Sequence, residues 1–79
     1  MSKSSDFLVD INGKRVFDGD EIRNFNVRIP SERDVSRQFG VARRQLHHWE
    51  WIGNDGSRCG IPEGFSAHKN FGVEKVRFE

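Results

Sequence analysis

The chain has 79 residues, a formal net charge of +1, and 34% hydrophobic against 32% charged residues, with seven Phe, two Trp and one Cys. A chain of this length holds one domain with a modest core, whose stability stays near ~3–5 kcal/mol unless self-association adds to it. A lone Cys59 excludes an internal disulfide, and no apolar run approaches the ~18 residues of a membrane span, which predicts a cytoplasmic protein with no membrane partner.

Residues 1–6 are small and polar and read as a flexible tail ahead of a single domain over residues 7–79. Residues 7–11 and 14–17 flank Asn12-Gly13, the dipeptide best suited to a two-residue type I′ turn, and predict a β-hairpin. After a polar turn at residues 18–21, residues 25–29 alternate apolar and polar side chains and predict a third strand that Pro30 ends.

Residues 31–52 predict a helix-turn-helix. Val35 and Phe39 share one helical face at i, i+4, and Leu46 and Trp49 share another at i, i+3, so each helix offers an apolar stripe to the other. Ser31 is placed to cap the first helix, with Glu32 and Asp34 in its first turn. Gly40 supplies the positive φ of a tight inter-helix turn, and a second helix runs from about residue 42 to 51. Residues 53–60 are rich in turn formers where a β-wing would follow, with Arg58 at its tip. Residues 61–65 read as a connector, and residues 73–78 as a strand carrying Val76 and Phe78 on one face. That strand is expected to close the wing, extend the N-terminal sheet or pair with its own copy. The fold class predicted is thus α+β and winged-helix-like: an N-terminal hairpin, a central helix-turn-helix and a C-terminal wing or strand.

The run Gly40-Val41 through Leu46 to Trp49-Glu50 resembles the GV…LxxWE stretch of MerR-like regulators and phage excisionases. The preceding Pro30-Ser31-Glu32-Arg33 with Phe39-Gly40-Val41 is similar to the opening of GntR-type winged helices, in which arginines matching Arg33 and Arg43 touch DNA. Each family matches half of the motif, which spans about a quarter of the chain. The resemblance implies a DNA-binding domain of a bacterial cell, of phage, plasmid or chromosomal origin. Two departures stand out: Ala42 replaces the usual capping Ser, and His47 replaces an arginine that grips the backbone.

Charge agrees locally with this reading. Four arginines lie in residues 32–51, and no acid falls between Val35 and Trp49. The expected contacts to double-stranded DNA are Arg43, Arg44, Gln45, His47 and His48 from the second helix, Ser31, Arg33 and Arg37 from the first, and Arg58 from the wing. One small module buries little surface, so a homodimer or a cooperative oligomer on DNA is expected, acting by occupancy as a repressor or as a recombination or plasmid control factor. His47, His48, Cys59 and His68 lack metal-ligand spacing, and no nucleophile constellation or phosphate loop is present, so neither enzyme nor cofactor is predicted. The alternative is a phage- or plasmid-encoded module that binds and inhibits a host protein, for which the near-neutral charge, the many Phe and an exposed Trp51 would serve.

Overall fold

A computed structural model describes residues 4–76. Among these, seven strands follow in order: β1 (Leu8–Val9), β2 (Arg15–Val16), β3 (Glu21–Asn24), β4 (Phe39–Arg44), β5 (Trp49–Gly53), β6 (Arg58–Ile61) and β7 (Val73–Lys75). Two 3-10 segments, Glu32–Gln38 and Glu63–Phe65, are the only helical turns among the described residues. β1 and β2 form a hairpin, and the other five strands form an antiparallel sheet in the order β6-β5-β4-β3-β7. Strands β3 to β6 are therefore a four-stranded meander, and β7 returns to the open side of β3. No helix among the described residues is long and apolar enough to cross a membrane.

The expected α+β fold with a central helix-turn-helix is overturned. Its first helix is the 3-10 segment Glu32–Gln38, and its second is replaced by β4, a loop and β5. The governing period in residues 39–53 is two, not 3.6. Trp49, Trp51 and Gly53 face inward while Glu50 and Ile52 face outward; on β4, Gly40 and Ala42 face inward while Phe39, Val41 and Arg43 face outward. Leu46, expected on the helix seam, sits in the loop between the strands with 65% of its surface exposed. The loop closes through the amide of Gln45, which donates to the His48 carbonyl at 2.8 Å.

Gly40 serves close packing rather than a turn. Among the described residues positive φ occurs only at Gly13, Gly19 and Gly56, whereas a Cβ on Gly40 would lie 2.2 Å from the Ile52 carbonyl oxygen and 2.8 Å from the Trp51 indole nitrogen. Both tryptophans fill the core with Leu8, Val16, Ile22, Ala42, Ile61 and Val73. Their polar edges are satisfied: Trp49 donates to the Ser5 carbonyl at 2.9 Å and Trp51 to the Gln38 carbonyl at 3.1 Å. Burying a tryptophan removes some 150–250 Å² from water, at most roughly 4–6 kcal/mol each before entropy is counted. That outweighs the fraction of a kcal/mol per residue by which helix propensity varies.

The N-terminal hairpin forms as expected, with Leu8 opposite Val16 and Val9 opposite Arg15. Its turn is different. The Gly13 amide donates to the Asp10 carbonyl at 3.0 Å and the Asp10 amide to the Lys14 carbonyl at 2.8 Å, giving a three-residue loop with left-handed Gly13. The Asp10 side chain sets this choice. It is buried, and its carboxylate accepts the amides of Asn12 and Lys14, each at 2.8 Å, and that of Lys75 at 2.9 Å. Asp10 thereby joins the hairpin to β7, whose Val73 carbonyl also accepts the Ile11 amide at 3.0 Å.

The third strand is shifted. It runs over Glu21–Asn24 instead of residues 25–29, because the Asn24 side chain and carbonyl accept the amides of Asn26 and Val27 and turn the chain there. The expected C-terminal strand pairs with β3 through Ile22↔Lys75 and Asn24↔Val73; Phe78 lies outside the described residues. No wing follows a recognition helix: residues 54–57 are instead the tight turn of the β5–β6 hairpin, closed by the Gly56 amide on the Gly53 carbonyl. Of the expected tail, Ser4 is buried and its amide donates to the Leu46 carbonyl at 2.9 Å.

Candidate binding groove

The residues expected to meet DNA do not share a face. Arg43 and Arg44 are neighbours on β4, so their side chains leave opposite sides of the sheet. Arg43 is exposed on the outer face, opposite Glu50. Arg44 holds the N-terminal segment: its Nε donates to the Ser4 hydroxyl at 3.1 Å, and its Nη2 reaches the Ser4 carbonyl at 3.0 Å and the Asp6 carboxylate at 3.1 Å. Gln45 is half-buried, and its carbonyl accepts the Ser4 hydroxyl. His47 and His48 sit in the exposed loop before β5, where His48 Nε2 lies 3.0 Å from Glu50 Oε1. Ser31 does not cap; its hydroxyl donates to the Asp34 carboxylate at 3.2 Å. Arg33 is exposed on the 3-10 segment, and Arg37 stands 3.9 Å from Asp34. Arg58 begins β6 opposite Ile52 rather than tipping a loop. Trp51, expected to be exposed, is buried.

Folding also removes the local positive field. The acid-free run in the sequence becomes a strand whose neighbours bring acids back. On the outer face Arg23, Arg43 and Arg58 are interleaved with Glu21, Glu50 and Glu74, three against three. No group of three or more His, Cys, Asp or Glu among the described residues is placed to hold a metal ion.

The geometry points elsewhere, to residues 62–73. Pro62, Phe65, Phe71 and Asn26 line an open groove of about 330 Å³. Phe65 and Phe71 are each 56% exposed, and the His68 ring lies between them, 6.4 Å from Phe65 and 4.9 Å from Phe71 between ring centroids. The backbone under these rings is closely tied. The Phe65 amide donates to the Pro62 carbonyl at 2.9 Å, the His68 amide to Phe65 at 3.0 Å, the Gly72 amide to His68 at 2.7 Å and the Val73 amide to Ser66 at 2.9 Å. Ser66 is buried, and its hydroxyl donates to the Glu63 carbonyl at 3.2 Å.

Two further contacts fix the groove's walls. The Phe25 amide donates to the Gly72 carbonyl at 3.0 Å, which pins the turn carrying Asn26 against the aromatic segment. The Asn70 amide donates to His68 Nδ1 at 3.1 Å, so a neutral His68 carries its proton on Nε2 and presents a donor beside the rings. Gly72 is required by this packing, since a Cβ there would lie 2.3 Å from the Ser66 carbonyl oxygen and 2.5 Å from that of His68. Sequence reasoning passed over these residues because residues 61–65 read as a connector. The signal that remained was two phenylalanines in a polar, Gly-containing stretch that no helical or strand period explains. No family model, curated protein or solved structure matches the chain.

Proposed function

We propose that this protein is a non-catalytic binding module whose Phe65–Phe71 groove takes a short segment of a partner protein, anchored by an apolar side chain packed against Pro62 and the exposed faces of the two rings. The observation that carries this reading is the exposure of two phenylalanines on a segment whose backbone is tied down by the amides of Phe65, His68, Asn70, Gly72 and Val73. Exposed rings cost hydrophobic free energy, and a backbone held beneath them lowers the ordering cost of binding. Aromatic anchors of this kind dominate protein interfaces. His68 Nε2–H and the Asn26 carboxamide add polar groups at the walls, as a groove needs for orientation.

Selection from a displayed random peptide library tests the reading. Peptides sharing an apolar anchor should be enriched on the wild type and lose binding to the Phe65→Ser/Phe71→Ser variant. Absence of enrichment, or retention by the variant, would count against it. A second reading, duplex DNA, draws on the exposure of Arg33, Arg37, Arg43 and Arg58. It predicts salt-sensitive retention of a duplex library that Arg43→Ala/Arg58→Ala abolishes and the phenylalanine variant leaves intact.

A further inference from the structure

The outer face of the five-stranded sheet carries a charge pattern that fits a second copy of itself. Three of its rows are set by the strand register. One row runs Arg58, Ile52, Val41, Glu21 across β6, β5, β4 and β3. The next holds Glu50 on β5 beside Arg43 on β4. The third carries Phe39 on β4 beside Arg23 on β3. Phe39, Val41 and Ile52 are half-buried and form the apolar centre of this face.

From this pattern we infer that two copies pair face to face about a two-fold axis that runs parallel to the strands between β4 and β5. Such an axis exchanges β5 with β4 of the partner and β6 with β3, and leaves the rows at their heights. It therefore places Ile52 over the partner's Val41 and Val41 over the partner's Ile52. The same operation sets Arg58 against the partner's Glu21, Glu21 against the partner's Arg58, and Arg43 against the partner's Glu50. Every charge in the two central rows meets its opposite, and the apolar pair meets itself, as an isologous interface requires. Within one chain Arg43, Arg58 and Glu21 form no ion pair among the described residues. The inner face of the sheet packs on the core shared with the β1–β2 hairpin, and the partner's sheet would cover the outer face at the usual spacing of about 10 Å.

The size of the face sets the strength. About this axis four strands overlap, β6, β5, β4 and β3, ~4.8 Å apart and four to six residues long, so the shared face spans roughly 19 by 13–20 Å, or about 250–380 Å² per copy. This is smaller than a standard specific interface and predicts a weak dimer that assembles only at high micromolar to millimolar concentration. The inference does not depend on the groove, which lies on the segment after β6.

Charge reversal with rescue tests it. Glu21 and Arg58 are three strands apart, about 14 Å, so they do not touch within one chain and any coupling between them passes through a second copy. Sedimentation velocity across a series from low micromolar to millimolar protein should show a concentration-dependent dimer. Glu21→Arg and Arg58→Glu should each weaken it by at least tenfold, and the double reversal should restore it. Circular dichroism of each variant establishes that it is folded; both positions are exposed. A monomer at every concentration, a dimer indifferent to both reversals, or a double reversal no better than the singles would overturn the inference.

Discussion

The N-terminal hairpin and the segment of residues 62–72 are built alike and end differently. Both are short, both are held by backbone hydrogen bonds, and both are pinned to the β3–β7 side of the sheet: the hairpin through Asp10 and Ile11 on β7, the segment through Gly72 on Phe25 and Ser66 on Val73. Yet the hairpin buries Leu8 at 2% and Val16 at 0% exposure, while the segment leaves Phe65 and Phe71 more than half exposed. Hydrogen bonding fixes a backbone in either case, and the direction of the apolar side chains decides what that backbone is for. The hairpin completes the core. The aromatic segment presents a surface.

The largest effect that would sharpen this contrast is expected at Asp10. Asp10→Ala removes a buried side chain and leaves the amides of Asn12, Lys14 and Lys75 without their acceptor, and should cost about 3–5 kcal/mol, comparable to the whole reserve of a domain this size. Chemical denaturation followed by circular dichroism should show no folded baseline. Leu8→Ala removes buried volume from the core and should cost about 2–5 kcal/mol, read as a lowered denaturation midpoint.

Gly72→Ala acts on the other region. Its Cβ would press on two carbonyl oxygens, so about 1–3 kcal/mol should be lost, with displaced amide resonances confined to residues 62–73 and the turn near Asn26. Smaller still in stability is Phe65→Ser, expected to change unfolding by no more than about 0.5 kcal/mol while weakening a selected peptide by at least tenfold.

The smallest effect belongs to Asp55 in the β5–β6 turn, whose carboxyl is held below its ordinary value of 3.8 by the Ser57 amide and hydroxyl. A carboxyl with a lowered folded pKa contributes stability above its unfolded value and loses it as the pH falls through the folded one. The difference between wild type and Asp55→Ala should therefore be present at neutral pH and shrink as the medium is acidified below about 4.

The parts of this fold legible in the sequence were those settled by neighbours in the chain. Asn12-Gly13 between two apolar runs gave the hairpin, although the Asp10 carboxylate, with a partner 65 residues away on β7, selected a different turn. The alternation of residues 73–76 gave the last strand but not its partner. Residues 39–53 were misread because Val35, Phe39, Leu46 and Trp49 fall by coincidence at helical spacings. The competing period of two in Trp49, Trp51 and Gly53 was present, and Gly40 was open to a reading as a close approach as well as a turn. Tertiary burial of two tryptophans decided between them.

The candidate site was less legible still. Local arginine enrichment suggested a positive surface, but Glu21, Glu50 and Glu74 reach that surface only once strands distant in sequence lie side by side. The exposure of Phe65 and Phe71 depends on the path of a loop that carries no periodic signal.

The central claim is that these two rings serve binding and not the core. The most direct measurement is the unfolding free energy of Phe65→Ser/Phe71→Ser by chemical denaturation, paired with its binding to the peptide selected on the wild type. The account predicts unfolding within about 1 kcal/mol of the wild type and loss of the peptide. A collapse in stability, or full retention of the peptide by a folded variant, would contradict it.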